Sequence, residues 1–138
     1  VKKEIAIDID ILTNSIRNVI SGDVFDTEVF RISKLDYKYL RNGWNFNWVK
    51  ESNENTVYKL VIKSNPEIIQ GLISISDNND NILINLVENA SFNIGKSKLY
   101  EGVAGNLFAF ACKYSLDSGF FGMFLSLQNP IYFHIMKK

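Results

Sequence analysis

Ile5, Ile7, Ile9 and Ile11 alternate with less apolar neighbours, the period of a strand with one buried face. Thr13-Asn14-Ser15 offers an N-cap, so the spacing predicts a short helix over Ile16 to Ile20 that stops at Gly22. Glu28 to Ser33 alternates again and predicts a strand, and Leu35 to Leu40 suits a helical turn before Asn42-Gly43. Trp44-Asn45-Phe46-Asn47-Trp48 has strict period two, which predicts an extended segment with three rings on one face. Glu51 to Asn55 reads as a polar turn.

The β-branched runs Val57 to Ile62 and Ile68 to Ile75 flank Ser64-Asn65-Pro66 and predict two adjacent antiparallel strands. A turn at Asp77 to Asn81 leads to a third strand, Ile82 to Val87. From Gly102 to Ser118 the pattern is apolar on nearly all sides, with Ala104, Gly105, Ala109 and Ala111 allowing close approach to a sheet, so a buried helix is predicted. Gly119 ends it, Gly122 to Leu127 predicts a strand parallel to Ile82–Val87, and Asn129-Pro130 opens a last helix. A mostly antiparallel sheet with flanking helices follows: an α+β fold in three layers.

A chain of 138 residues with 46% hydrophobic content supports one domain, spanning residues 1–138. Fifteen basic and fifteen acidic side chains cancel and no Lys/Arg cluster stands out, so neither nucleic acid nor an anionic membrane is an expected partner. Apolar runs stop short of spanning length and the first residues lack a signal-peptide core, which predicts a soluble, cytoplasmic protein. The single cysteine, Cys112, lies inside the predicted helix and reads as packing. One histidine, His134, cannot build a multi-histidine metal site. Asp77, Asn79, Asn81 and Glu88 fall at calcium-loop spacing, but Ile82 stands where that loop needs glycine, so no metal is expected.

The strongest chemical signal is Tyr100-Glu101-Gly102-Val103-Ala104-Gly105-Asn106, a glycine-bearing turn that opens a helix after a strand. Unpaired N–H groups at a helix start favour a phosphate, and small side chains let it approach the main chain. The aromatic set Trp44, Phe46 and Trp48 has two readings, a ligand platform or core and lid packing, and the lack of basic neighbours favours packing.

Lys98 to Leu107, the helix after it and Gly119-Phe120-Phe121-Gly122 resemble the core motif of the GNAT N-acetyltransferase superfamily, and the order of elements agrees. Leu12 to Ile16, Gln70 to Ile73 and Ala111 to Lys113 are similar to a bacterial branch of it. In the superfamily's (Arg/Gln)-x-x-Gly-x-(Gly/Ala) motif, Gly102 and Ala104 match and Leu99 departs.

The resemblance implies an acetyl-CoA-dependent N-acetyltransferase that transfers directly to an amine. Tyr100 to Asn106 would hold the pyrophosphate of acetyl-CoA, and Leu86 and Val87 the pantetheine. Glu88 is the candidate general base, its competing role being a solvated strand-end carboxylate. Tyr132 is the candidate acid, although His134 is followed by Ile135 where that branch has a His-Tyr pair, and Asn129 is either a pantetheine contact or an ordinary N-cap. GNAT domains usually continue into two more strands, which the sequence ending at Lys138 does not supply. The alternative is therefore a catalytically inactive GNAT-like domain that works through CoA binding or protein contacts, including a homodimer through an exposed edge near Met123 to Leu127.

Overall fold

The computed structural model describes residues 14–79, 81–119 and 125–127. In chain order these form β1 (Ser15–Asn18), β2 (Val24–Arg31), a 3-10 turn at Lys34–Asp36, α1 (Tyr37–Leu40), α2 (Trp48–Glu54), β3 (Thr56–Ile62), β4 (Asn65–Asp77) and β5 (Ile82–Asn89). A second 3-10 turn (Ser91–Asn93), β6 (Tyr100–Glu101), α3 (Val103–Asp117) and β7 (Leu125–Leu127) follow. All strands join one sheet in the order β6-β1-β2-β3-β4-β5-β7. Neighbours are antiparallel except β5 and β7, which run parallel. The result is a mixed α+β fold.

Alternation along the central strands makes the layers. Leu60, Ile62, Ile73, Ile75, Ile82, Ile84 and Val87 bury one face of the sheet with Val103, Leu107 and Ala111 of α3. Val57 and Leu72, one position out of phase, bury the other face with Leu40 of α1 and Trp48 of α2. β-branched residues at both phases are what a strand covered on two sides needs. Gly71 sets how closely α3 sits: a Cβ there would lie 2.7 Å from Val103 Cγ1 and 3.1 Å from Leu107 Cδ1.

The three meander strands and the helix expected from Gly102 to Ser118, which runs from Val103 to Asp117, stand where the pattern places them. Four expectations need correction. The Ile16–Ile20 segment is strand β1 and a turn, because Ile16 pairs with Phe25 and is buried, while Asn18 Oδ1 accepts from Ile20 N (3.0 Å) and Ser21 N (2.9 Å) and bends the chain back. Trp44–Trp48 is a loop running into α2, with Asn47 Oδ1 capping Lys50 N at 3.1 Å, so Glu51 is helical rather than in a turn. Finally, α3 buries one face only: Lys113, Leu116 and Asp117 are exposed opposite Leu107 and Ala111.

Among the described residues no helix is long and apolar enough to cross a membrane. The Ile5–Ile11 strand, Tyr132, Asn129 and the helix at Pro130 lie outside the described residues.

Candidate functional site

The glycine turn begins at a sheet edge. β6 pairs with β1 in the register Arg17↔Glu101 and Asn18↔Tyr100, and the Arg17 guanidinium forms an ion pair with Glu101. Gly102 then turns left-handed, with φ of 99°, and is the N-cap of α3 without a side chain to cap it. A Cβ would meet nothing nearer than Ser15 O at 3.8 Å, so the space is open and the backbone conformation alone calls for glycine.

Asn106 locks this turn. Its Nδ2 donates to Ser15 O (2.7 Å) and Gly102 O (2.8 Å), and its Oδ1 accepts from Thr27 Oγ1 (2.8 Å). The Asn106 side chain is thus committed to the fold, and its backbone N–H closes the first turn onto Gly102 O at 3.0 Å. The amides of Val103, Ala104 and Gly105, as the first three of a helix, have no intrahelical acceptor. Gly102 is exposed and Val103 is buried beneath it. Leu99, at the motif's polar position, is half exposed, and its carbonyl accepts from Val19 N at 2.8 Å.

The β5 edge is the second part. Among the described residues its pairing with β7 covers Ile82 to Ile84. At that point the register with β4 slips, Ser74 facing Leu86 and Ile75 facing Ile84, so Asn85 is an extra, bulged residue. Beyond it, Leu86 to Asn89 have no strand on the outer side among the described residues. Leu86 packs with the Trp48 cluster and Val87 with the α3 cluster. Asn89 Oδ1, at the strand's end, is buried and has no hydrogen-bond partner among the described residues.

Glu88 is not a solvated strand-end carboxylate. It is 2% exposed and accepts from Asn45 N (2.7 Å), Phe46 N (3.3 Å) and Trp48 Nε1 (2.8 Å). Both oxygens are engaged, and what they hold is the loop between α1 and α2. Trp48 serves packing, being fully buried, and Phe46 meets it edge-on at 6.4 Å between centroids while remaining partly exposed, as does Trp44.

A carboxylate that the sequence pattern hides is Glu51. Its Oε2 accepts from Ser74 Oγ (2.6 Å) and Asn55 Nδ2 (2.9 Å), while Oε1 has no hydrogen-bond partner among the described residues. Ser74 pairs with Leu86, and Asn85 Nδ2 lies 3.2 Å from Ser76 Oγ, so a polar row crosses the sheet beside the bulge. The serines at alternate positions of β4 are the only local sign, since the spacing between α2 and β4 is not local.

On the opposite face, burial pushes the Cys112 thiol up to about 11, which suits packing and not reactivity. The Tyr58 hydroxyl is also raised, first by burial and then by Tyr114. Among the described residues no three His, Cys, Asp or Glu side chains gather to hold a metal, and Ile82 of the calcium-like spacing is buried in β5. Compared with protein-family models, curated proteins and solved structures, the chain matches none.

Proposed function

We propose that the chain is a GNAT-type N-acetyltransferase domain that binds acetyl-CoA and serves direct transfer to an amine. One observation carries this reading: among the described residues β5 and the parallel β7 pair from Ile82 to Ile84, and past the bulge at Asn85 no described strand lies on the outer side of Leu86–Asn89, in a chain whose next helix is capped by glycine. An open strand edge supplies N–H and C=O groups for an extended amide-bearing chain. The first-turn amides of Val103, Ala104 and Gly105 supply donors for a diphosphate. Asn89 Oδ1, buried and without a hydrogen-bond partner among the described residues, lies at the same strand end.

These residues fit acetyl-CoA, which when bound supplies a thioester-activated acetyl carbonyl. Leu86 and Val87 would align its pantetheine, and Tyr100 to Gly105 its phosphates, with Asn106 fixing the turn. Glu88 would contribute by holding the Asn45–Trp48 loop, and Glu51 Oε1, which has no donor on it among the described residues, would take the amine proton. Tyr132 remains the residue assigned to give up a proton, and Asn129 a further ligand contact.

Calorimetry with acetyl-CoA and CoA tests the reading: both bind, and Gly102→Asp, which adds bulk and negative charge at the turn, abolishes binding. No heat at millimolar ligand overturns it. The occupied oxygens of Glu88 favour a second reading, CoA binding without turnover; thiol release with a panel of amines separates the two, and loss of release in Glu51→Gln with binding retained supports transfer.

A further inference from the structure

We infer that the groove between α1 and α2 is a binding site for a small carboxylate with an aromatic or apolar body. Its volume, about 640 Å³, is that of a site for a small organic molecule. Arg41 and Lys50, basic neighbours of the Trp44–Trp48 rings contrary to the expectation from the sequence, line it together with Trp44, Phe46, Asn47 and Asn53. No acidic residue lines it, and neither cation has an ion pair among the described residues.

The nearby carboxylates are turned elsewhere. Glu88 is buried under the loop and engaged by three donors, and Glu51 faces Ser74. In a chain of zero net charge the groove is therefore a local excess of positive charge. Its aromatic wall is held in place: Trp44 Nε1 donates to Tyr39 O at 3.0 Å, and the Asn45 and Phe46 amides are tied to Glu88. A pre-ordered wall lowers the entropy lost on binding. Two cations lining a groove that aromatic rings also line match an anionic head on an aromatic body. A phosphate monoester would match the charges but would leave the rings without a use. The inference stands without an acyl donor and survives if the preceding proposal fails.

The test is a nuclear magnetic resonance titration of the whole chain with phenylacetate and, separately, its neutral isostere phenylacetamide, read at the two tryptophan indole N–H signals and assigned with Trp44→Phe. Phenylacetate should shift the Trp44 signal saturably, with ~10-fold weaker binding for the amide and for the double variant Arg41→Gln/Lys50→Gln. The Trp48 signal, held by Glu88, reports in each sample that the loop is folded. Equal binding of acid and amide, unchanged affinity in the folded double variant, or no saturable Trp44 shift at tens of millimolar phenylacetate overturns the inference.

Discussion

Trp48 Nε1 donates to Glu88 Oε1 at 2.8 Å across a separation of 40 residues, fastening the loop ahead of α2 to the end of β5. Glu88→Ala would leave that indole and the amides of Asn45 and Phe46 without an acceptor. The expected loss is about 3 kcal/mol of stability, since hydrogen bonds to an ionised group contribute more than neutral ones. Glu88→Gln, which keeps one carbonyl oxygen, should lose less. Urea unfolding measures both, and a midpoint unmoved by Glu88→Ala would deny the fastening role.

Asn106 joins α3 to two strands, giving to Ser15 O and receiving from Thr27 Oγ1. Asn106→Ala removes these bonds and should destabilise by about 2 kcal/mol. Asn106→Asp should be worse, because a carboxylate cannot donate and would face the carbonyls of Ser15 and Gly102. An ordering of stability with aspartate above alanine would mean that the amide is not oriented as described.

Much of the frame is legible in the chain because its causes are local. β3, β4 and β5 are runs rich in β-branched residues separated by turn residues, and α3 is bracketed by Gly102 and Gly119, which both adopt positive φ. Failures occur where distant partners decide. Ile16 follows a sound N-cap signal, yet pairing of β1 with both β2 and β6 overrides it. Five alternating residues from Trp44 to Trp48 are too few to distinguish a strand from a loop that spirals into a helix. The roles of Glu88 and Glu51 depend on donors at Trp48 and Ser74, and no spacing in the sequence encodes those meetings. The stretch of β5 that pairs with β7, Ile82 to Ile84, is likewise a property of sheet register, visible only once the two strands are paired.

Gly71 and Val103 meet at a contact with no room for another carbon. Gly71→Ala should therefore lift or twist α3 and destabilise by about 1–3 kcal/mol, the usual range for overpacking. Val103→Ala removes the nearest obstacle, so in the double variant the alanine at 71 should cost less than it does alone, with a coupling of about 1 kcal/mol. Strictly additive losses in thermal or urea unfolding would show that the two side chains do not compete for one space.

Cys112 gives a pH signature. Burial raises its thiol from 9.0 to about 11, so the folded chain keeps the proton that the unfolded chain releases first. This contribution to stability is fully present below the unfolded value and is lost as pH rises from about 9 to about 11. Cys112→Ala should flatten that part of the stability–pH curve, while leaving other alkaline titrations in place. Thiol-directed labelling at pH near 8 should be slow in the folded chain and accelerate with urea across the unfolding transition, because the thiolate is the reacting species. Rapid labelling without denaturant would place Cys112 at the surface and contradict its 7% exposure.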